Sequence, residues 1–321
     1  MSLFFVHIPK TAGTSFRLGA EQAFEKPRIV YDYGEASGET SAIVQQWLYQ
    51  QPADFWRFGQ ALTKADAAFL AGHVNIGRFV SVLGAARSVT FLREPLQRMA
   101  SEYTHFVRHY DYQGSFQEFY SKPVMHNRQS KILHGVDLEA VGFVGLTERY
   151  EESLELLNTH YGIAIPSRED NRCKQNLAAA HEICAEDEAE IKRLNRKDLA
   201  LYQRALALFD QRCQLAAKGL PWAHARLVEA SVQRISGWAW WAHGGDTPVE
   251  VEVWVNGQRH ETMAAVELRP NLCRLQPPRG GHIGFHLPLK LTPGDKVQCR
   301  VSCTGQWFPT EPQRVPKPEE P

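Results

Sequence analysis

The chain has 321 residues, 43% of them apolar, which is enough for a full core, and this length reads as two domains at usual sizes of about 100 to 200 residues each. Lys plus Arg and Asp plus Glu number 36 each, and the zero net charge argues against a bulk polyanion binder such as a nucleic-acid-coating protein, while leaving room for a local basic site. No stretch approaches the roughly 18 consecutive apolar residues of a membrane span, and Met1-Ser2-Leu3-Phe4-Phe5 lacks a basic leader and a cleavage site, so the expected location is cytoplasmic with no transmembrane segment.

In chain order, Leu3–Val6 reads as a buried strand stopped by Pro9, and Ser15-Phe16-Arg17-Leu18 opens a helical pattern. The loop between them, through Lys10, Thr11, Ala12, Gly13, Thr14 and Ser15, reads as a phosphate cradle. Its N–H groups point at an anion at a helix N-terminus, Lys10 adds a charge, and the hydroxyls of Thr11, Thr14 and Ser15 add short-range donors. It is not a Walker A loop, because the lysine comes first. Further strands at 28–31, 68–71, Ser88–Leu92 and Phe143–Leu146 alternate with helical patterns, the signature of an α/β layer fold with a mainly parallel sheet. Ala71-Gly72-His73-Val74 follows the third strand. Arg93 follows the fourth, and Pro95 then starts a helix running to about His109, with Ser101 about two turns in. Helical patterns cover 148–161 and 186–209; the stripe Ile191, Leu194, Leu199, Tyr202, Leu206 and Phe209 in the latter is core packing.

Between about residues 213 and 226 the pattern changes, so the first domain is taken as 1–213. Beyond it, strands at 235–241, 249–255, 283–289 and 297–303, with Asn256-Gly257 as a hairpin turn, predict a small all-β sandwich over 226–308. Residues 309–321, rich in Pro, Glu and Lys, read as a disordered tail. Six cysteines (Cys173, Cys184, Cys213, Cys273, Cys299, Cys303) show neither a CxxC pair nor His at zinc spacing, so reduced thiols and no metal are expected.

The lysine-first loop resembles the 5'-phosphosulfate loop of sulfotransferases that use 3'-phosphoadenosine 5'-phosphosulfate (PAPS), in particular the family that includes the glycosaminoglycan 2-O-sulfotransferases. Arg93 with Ser101, and Gly72-His73-Val74, are similar to further motifs of that family, and the resemblance covers roughly residues 3 to 210. It implies a P-loop-like three-layer α/β domain in which residues Lys10 to Ser15 hold the 5'-phosphosulfate and Arg93 and Ser101 hold the 3'-phosphate. It also implies His73 as general base, Lys10 stabilising the leaving phosphate, adenosine 3',5'-bisphosphate as product, no metal, and a carbohydrate or glycoconjugate acceptor. Some relatives carry a second histidine where this chain has Ala71, so a two-histidine scheme is not expected; His7, His105 and His109 stand next in line as bases. Asn127-Arg128-Gln129-Ser130-Lys131 and Val144-Gly145-Leu146-Thr147-Glu148-Arg149-Tyr150 resemble later family segments, with Arg128 and Gln129 either touching acceptor or cofactor or lying on a helix surface. Arg98 falls on a different helical face, and Arg172, Lys174 and Asn176 form a polar stretch read first as a solvated loop. The segments 236–241, 255–257 and 269–272, with Gly284-Phe285, resemble an accessory module found beside bacterial glycan-modifying transferases. Two other readings stay open: a P-loop nucleotide kinase using ATP and magnesium, and a non-catalytic glycan-binding protein stacking sugars on Trp238, Trp240, Trp241 and Trp254.

Overall fold

The structure, a computed structural model, describes residues 2–50, 52–168 and 183–317. Two compact units divide it: Met1–Leu83, Arg87–Leu138 and Phe143–Leu206 form the first, and Gly84–Ala86, Glu139–Gly142 and Ala207–Pro321 the second.

The first unit is built on a five-stranded sheet of order β2-β3-β1-β4-β5, with β1 Leu3–Val6, β2 Ile29–Asp32, β3 Phe69–Gly72, β4 Ser88–Leu92 and β5 Phe143–Leu146. Every pairing is parallel. Four of the strands are buried along their whole length, as expected where helices cover both faces and the strands read as continuous apolar runs. Phe5 on the central strand packs against Phe16 of helix α1 (Gly13–Ala23) with ring centroids 4.6 Å apart. The chain leaves β1 between β3 on one side and β4 on the other, so the loops after these three strands open at one edge, the place where open α/β sheets bind ligands.

Helix α2 (Phe55–Lys64) precedes β3, α3 (Pro95–His109) follows β4, and α4 (Phe116–Tyr120) and the short α5 (Arg128–Ile132) precede β5. Helix α6 (Tyr150–Tyr161) follows it. The expected helix over 186–209 is two, α7 (Ala185–Leu194) and α8 (Arg196–Ala217). The break has a polar cause: the Asn127 side-chain oxygen accepts from the N–H groups of Lys197 and Asp198, capping α8, while Asn127 N–H donates to Asn195 Oδ1.

The second unit holds two four-stranded antiparallel sheets, β10-β11-β7-β6 and β13-β12-β8-β9. Their ranges are β6 Ala223–Ala230, β7 Arg234–Trp241, β8 Glu250–Val255, β9 Gln258–Ala264, β10 Glu267–Leu268, β11 His282–Pro288, β12 Lys296–Val301 and β13 Trp307–Arg314. Ile235, Val251, Val253, Phe285, Val297 and Cys299 fill the core shared by these strands. Trp238, Trp240 and Trp241 are buried as well, which removes them from the sugar-stacking set. Residues 309–314, expected in a disordered tail, continue strand β13, pairing Gln313 with Val297 and Arg314 with Lys296; an edge strand tolerates Pro309 and Pro312 because it leaves one row of N–H groups unused. Cys184, Cys273, Cys299 and Cys303 are free thiols. Among the described residues no helix is long and apolar enough to cross a membrane.

Candidate active site

The loop after β1 has an unusual backbone. Lys10 and Ala12 both adopt left-handed conformations, with φ of 66° and 63°, which turns successive N–H groups to one side as in an anion nest. Ala12 is the N-cap of α1 and no side chain caps it, so the first-turn N–H groups of Gly13 and Thr14 keep no helical acceptor. Lys10 is half-buried and Thr14 exposed, whereas Ser15 is buried. Thr11 is fully buried and its hydroxyl donates to the Ile8 carbonyl at 2.9 Å, so its side chain braces the loop from within, and only its backbone remains for an anion. Burial and the positive charge of Arg93 together lower the pKa of Lys10.

His73 stands just beyond β3, beside this loop. Its Nδ1 lies 2.7 Å from the His7 carbonyl oxygen, and since a carbonyl only accepts, Nδ1 carries the proton and Nε2 keeps its lone pair. The ring is exposed at its edge, yet desolvation by surrounding protein lowers its pKa, against the raising effect of the His7 carbonyl and helped by the charges of Arg128 and Arg17. The His7 ring lies against that of His73, tilted by 37° with centroids 4.1 Å apart, and its Nδ1 meets Tyr33 Oη at 3.2 Å. His7 is held well below the usual histidine range by burial first, then by His73, Arg17 and Lys10. Burial pushes Tyr33 up to about 12. Two glycines make room: a Cβ at Gly13 would lie 2.1 Å from His7 Cδ2, and one at Gly72 would lie 2.2 Å from the Asp32 carbonyl oxygen.

Arg93, at the end of β4, reaches back to the same loop, its Nη1 donating to the Lys10 carbonyl at 3.4 Å. Its backbone is clamped on both sides by the fully buried Gln129 amide, which accepts from Arg93 N–H at 3.0 Å and donates to its carbonyl at 2.9 Å. Glu148 accepts from Glu94 N–H and from Tyr202 Oη, and Thr147 donates to the Leu92 carbonyl. The segments 127–131 and 144–150 therefore build the support of Arg93. Arg98 is structural: it is buried and paired with Glu102, whose other oxygen takes Arg128. Ser101 is half-buried on α3 and, among the described residues, shares no hydrogen bond with Arg93 or the loop. His105, further along α3, has its pKa lowered by burial and by Lys10, and its ring lies 4.7 Å from that of His109. Arg172, Lys174 and Asn176 lie outside the described residues.

Lys10, Arg93 and His73 are thus brought to one edge of the sheet by the loops after β1, β4 and β3. His7 and Tyr33 join them without having been singled out as partners of His73; the only signal was that His7 directly precedes the loop. The fold and site define a protein of two units whose first is a parallel α/β domain with an anion loop on its central strand. No family model and no curated protein matches the chain. Among solved structures, the crystal structure of a sulfotransferase from Alicyclobacillus acidocaldarius is similar over 64% of this chain and 99% of that chain, at 18% identity and a TM-score of 0.30. The functional reading rests on the site itself.

Proposed function

We propose that the first unit is a sulfotransferase that moves a sulfuryl group from PAPS to a hydroxyl of a carbohydrate acceptor. The observation that carries this reading is the meeting of an uncapped, left-handed loop bearing Lys10 with the guanidinium of Arg93, beside a histidine whose Nε2 is free to take a proton. The positive charge of Arg93 adds to burial in making Lys10 less ready to stay charged, and an anion bound at the loop relieves that cost. Lys10 with the loop N–H groups offers one anion position and the Arg93 guanidinium a second, which suits a nucleotide with phosphates at two positions.

When bound, PAPS supplies an activated sulfuryl group on a phosphate leaving group. Lys10, with the N–H groups of Ala12, Gly13 and Thr14 and the Ser15 hydroxyl, holds that phosphate and meets the charge that gathers on it as the sulfur–oxygen bond breaks. Arg93 and Ser101 hold the 3'-phosphate. His73 Nε2 takes the proton of the acceptor hydroxyl as its oxygen bonds to sulfur. His7 fixes the tautomer of His73 through its carbonyl.

Ligand-induced shifts in melting temperature test the cofactor assignment, because a ligand that binds only the folded state stabilises by about 2.7 kcal/mol at a hundredfold excess over its Kd. Adenosine 3',5'-bisphosphate should raise the melting temperature well above the shift with ATP, and an Arg93→Ala variant should lose most of that rise. An equal or larger rise with ATP and magnesium would favour the kinase reading. Transfer of labelled sulfate from PAPS to a panel of sugars then reports the acceptor.

A further inference from the structure

The sheet β13-β12-β8-β9 of the second unit carries two tryptophans that its core does not use. Val251, Val253, Val297, Cys299 and Val301 point inward and are fully buried, so by alternation Glu252, Trp254, Gln298 and Arg300 lie on the opposite face. Register sets Trp254 opposite Gln298 and Trp307 opposite Arg300. Trp254 and Trp307 are half-buried, meet edge-to-face at 5.4 Å, and line a cavity of about 460 Å³ with Asn256, Lys296, Gln298 and Pro312. That volume lies within the roughly 300–1,000 Å³ of small-ligand pockets.

The rings are fixed in advance. Trp254 Nε1 donates to Glu252 Oε2 at 3.0 Å, and Arg300 pairs with the same buried carboxylate at 2.6 Å. The Arg300 guanidinium lies over both indoles, 4.7 Å and 5.3 Å from their centroids. A buried carboxylate thus orders an arginine and two aromatic rings on a sheet face, and rigid aromatic surface binds without paying for its own ordering. The cavity wall bears no carboxylate, and its one cation, Lys296, is exposed and has no ion pair among the described residues. Asn256 is occupied, donating to Asp295 and accepting from Lys296 N–H, so it shapes the rim. Indole faces carry negative π density and meet the weakly positive C–H face of a pyranose. A single ammonium is too little for a nucleic-acid backbone, yet it suits a sugar bearing one carboxylate.

We propose that this cavity is a subsite for an acidic oligosaccharide, in which Trp254 and Trp307 pack against a sugar ring and Lys296 pairs with a uronic carboxylate. The site stands independently of the sulfuryl-transfer reading, since none of its residues belongs to the first unit.

The test uses the full chain without PAPS, titrated by calorimetry and tryptophan fluorescence with a tetrasaccharide of alternating glucuronic acid and N-acetylglucosamine, and with the same sugar after reduction of its carboxyl groups. The acidic sugar should quench tryptophan emission and bind roughly fivefold tighter than the reduced one. Lys296→Glu, at an exposed position, should erase that preference and leave the reduced sugar's binding unchanged. Trp307→Ala should weaken both by roughly tenfold or more. No binding of either sugar, acidic-sugar binding unaltered by Lys296→Glu, or occupation of the cavity by a proline-rich peptide in place of the sugars would overturn the proposal.

Discussion

A histidine that accepts a proton must be neutral beforehand and must hold its lone pair on the nitrogen that faces the donor. The His7 carbonyl meets the second requirement for His73, and desolvation with two nearby arginines meets the first. Turnover is therefore expected to rise with pH through a range below the ordinary histidine value of about 6.5 and to be level by neutrality. His73→Ala should remove turnover while leaving adenosine 3',5'-bisphosphate affinity near that of the parent; turnover unchanged in that variant would place the base elsewhere. Stability follows the same groups. His7 and His73 both bind protons less readily folded than unfolded, so their stabilising contribution is present above about pH 6.5 and is lost as pH falls toward their folded values. Thermal scans across pH 7.5 to 5, done on the parent and on His7→Gln, should show the parent losing more. Gly13→Ala tests the packing beneath this chemistry: its Cβ would displace the His7 ring, and overpacking of this kind costs about 1–3 kcal/mol. Its melting temperature should fall, and its acid limb should shift as the His7–His73 ring contact loosens. Lys10, His73 and Arg93 were legible because each directly follows an apolar run. Thr11 was not, because nothing in the sequence tells a hydroxyl that faces an anion from one that closes its own loop on the Ile8 carbonyl.

At the scale of elements, the support of Arg93 is a chain of reciprocal caps. Asn127 caps α8, and Asp198 of α8 accepts from the N–H groups of Gln129 and Ser130 at the start of α5. The Gln129 amide then clamps Arg93 on both backbone groups. Gln129→Ala would leave a buried N–H and carbonyl unpaired at about 1–3 kcal/mol each, and it should weaken bisphosphate binding to a degree approaching Arg93→Ala. Gln129→Glu keeps the acceptor and loses the donor, so its bisphosphate affinity should fall between those of the parent and Gln129→Ala. Full bisphosphate affinity in Gln129→Ala would show that Arg93 needs no such clamp. The strands of the first unit were readable to within a residue, since each is a short apolar run closed by glycine, proline or charge, whereas a break at Asn195 depends on a partner far away in sequence. In the second unit β9 is exposed along nearly all its length and offers no apolar alternation, and β13 hides its pairing behind two prolines. Both were missed for that reason.

For the whole molecule, the boundary matters more than either core. Composition changes near Lys218-Gly219-Leu220-Pro221, but the second unit begins at Ala207 within α8 and takes in Gly84–Ala86 and Glu139–Gly142. Ala85, Ala140 and Val141 are fully buried, Gly142 N–H donates to the Ala85 carbonyl at 2.8 Å, and the buried His224 ring donates through Nδ1 to the Glu139 carbonyl at 2.7 Å. A chain ending at residue 213 would carry these two segments without the strands they belong with. Their apolar side chains would meet water, and the hydrogen bond from His224 to the Glu139 carbonyl would be lost. For a chain of this size about 1 kcal/mol corresponds to roughly 2–4 °C, so loss of several buried groups should lower the melting temperature by at least about 5 °C relative to the full chain. Circular dichroism of residues 1–213 beside the full chain measures this directly. A truncated chain that melts with the parent would mean that the two early segments are complete without the second unit, and that the change of composition near residue 218 marks the true joint.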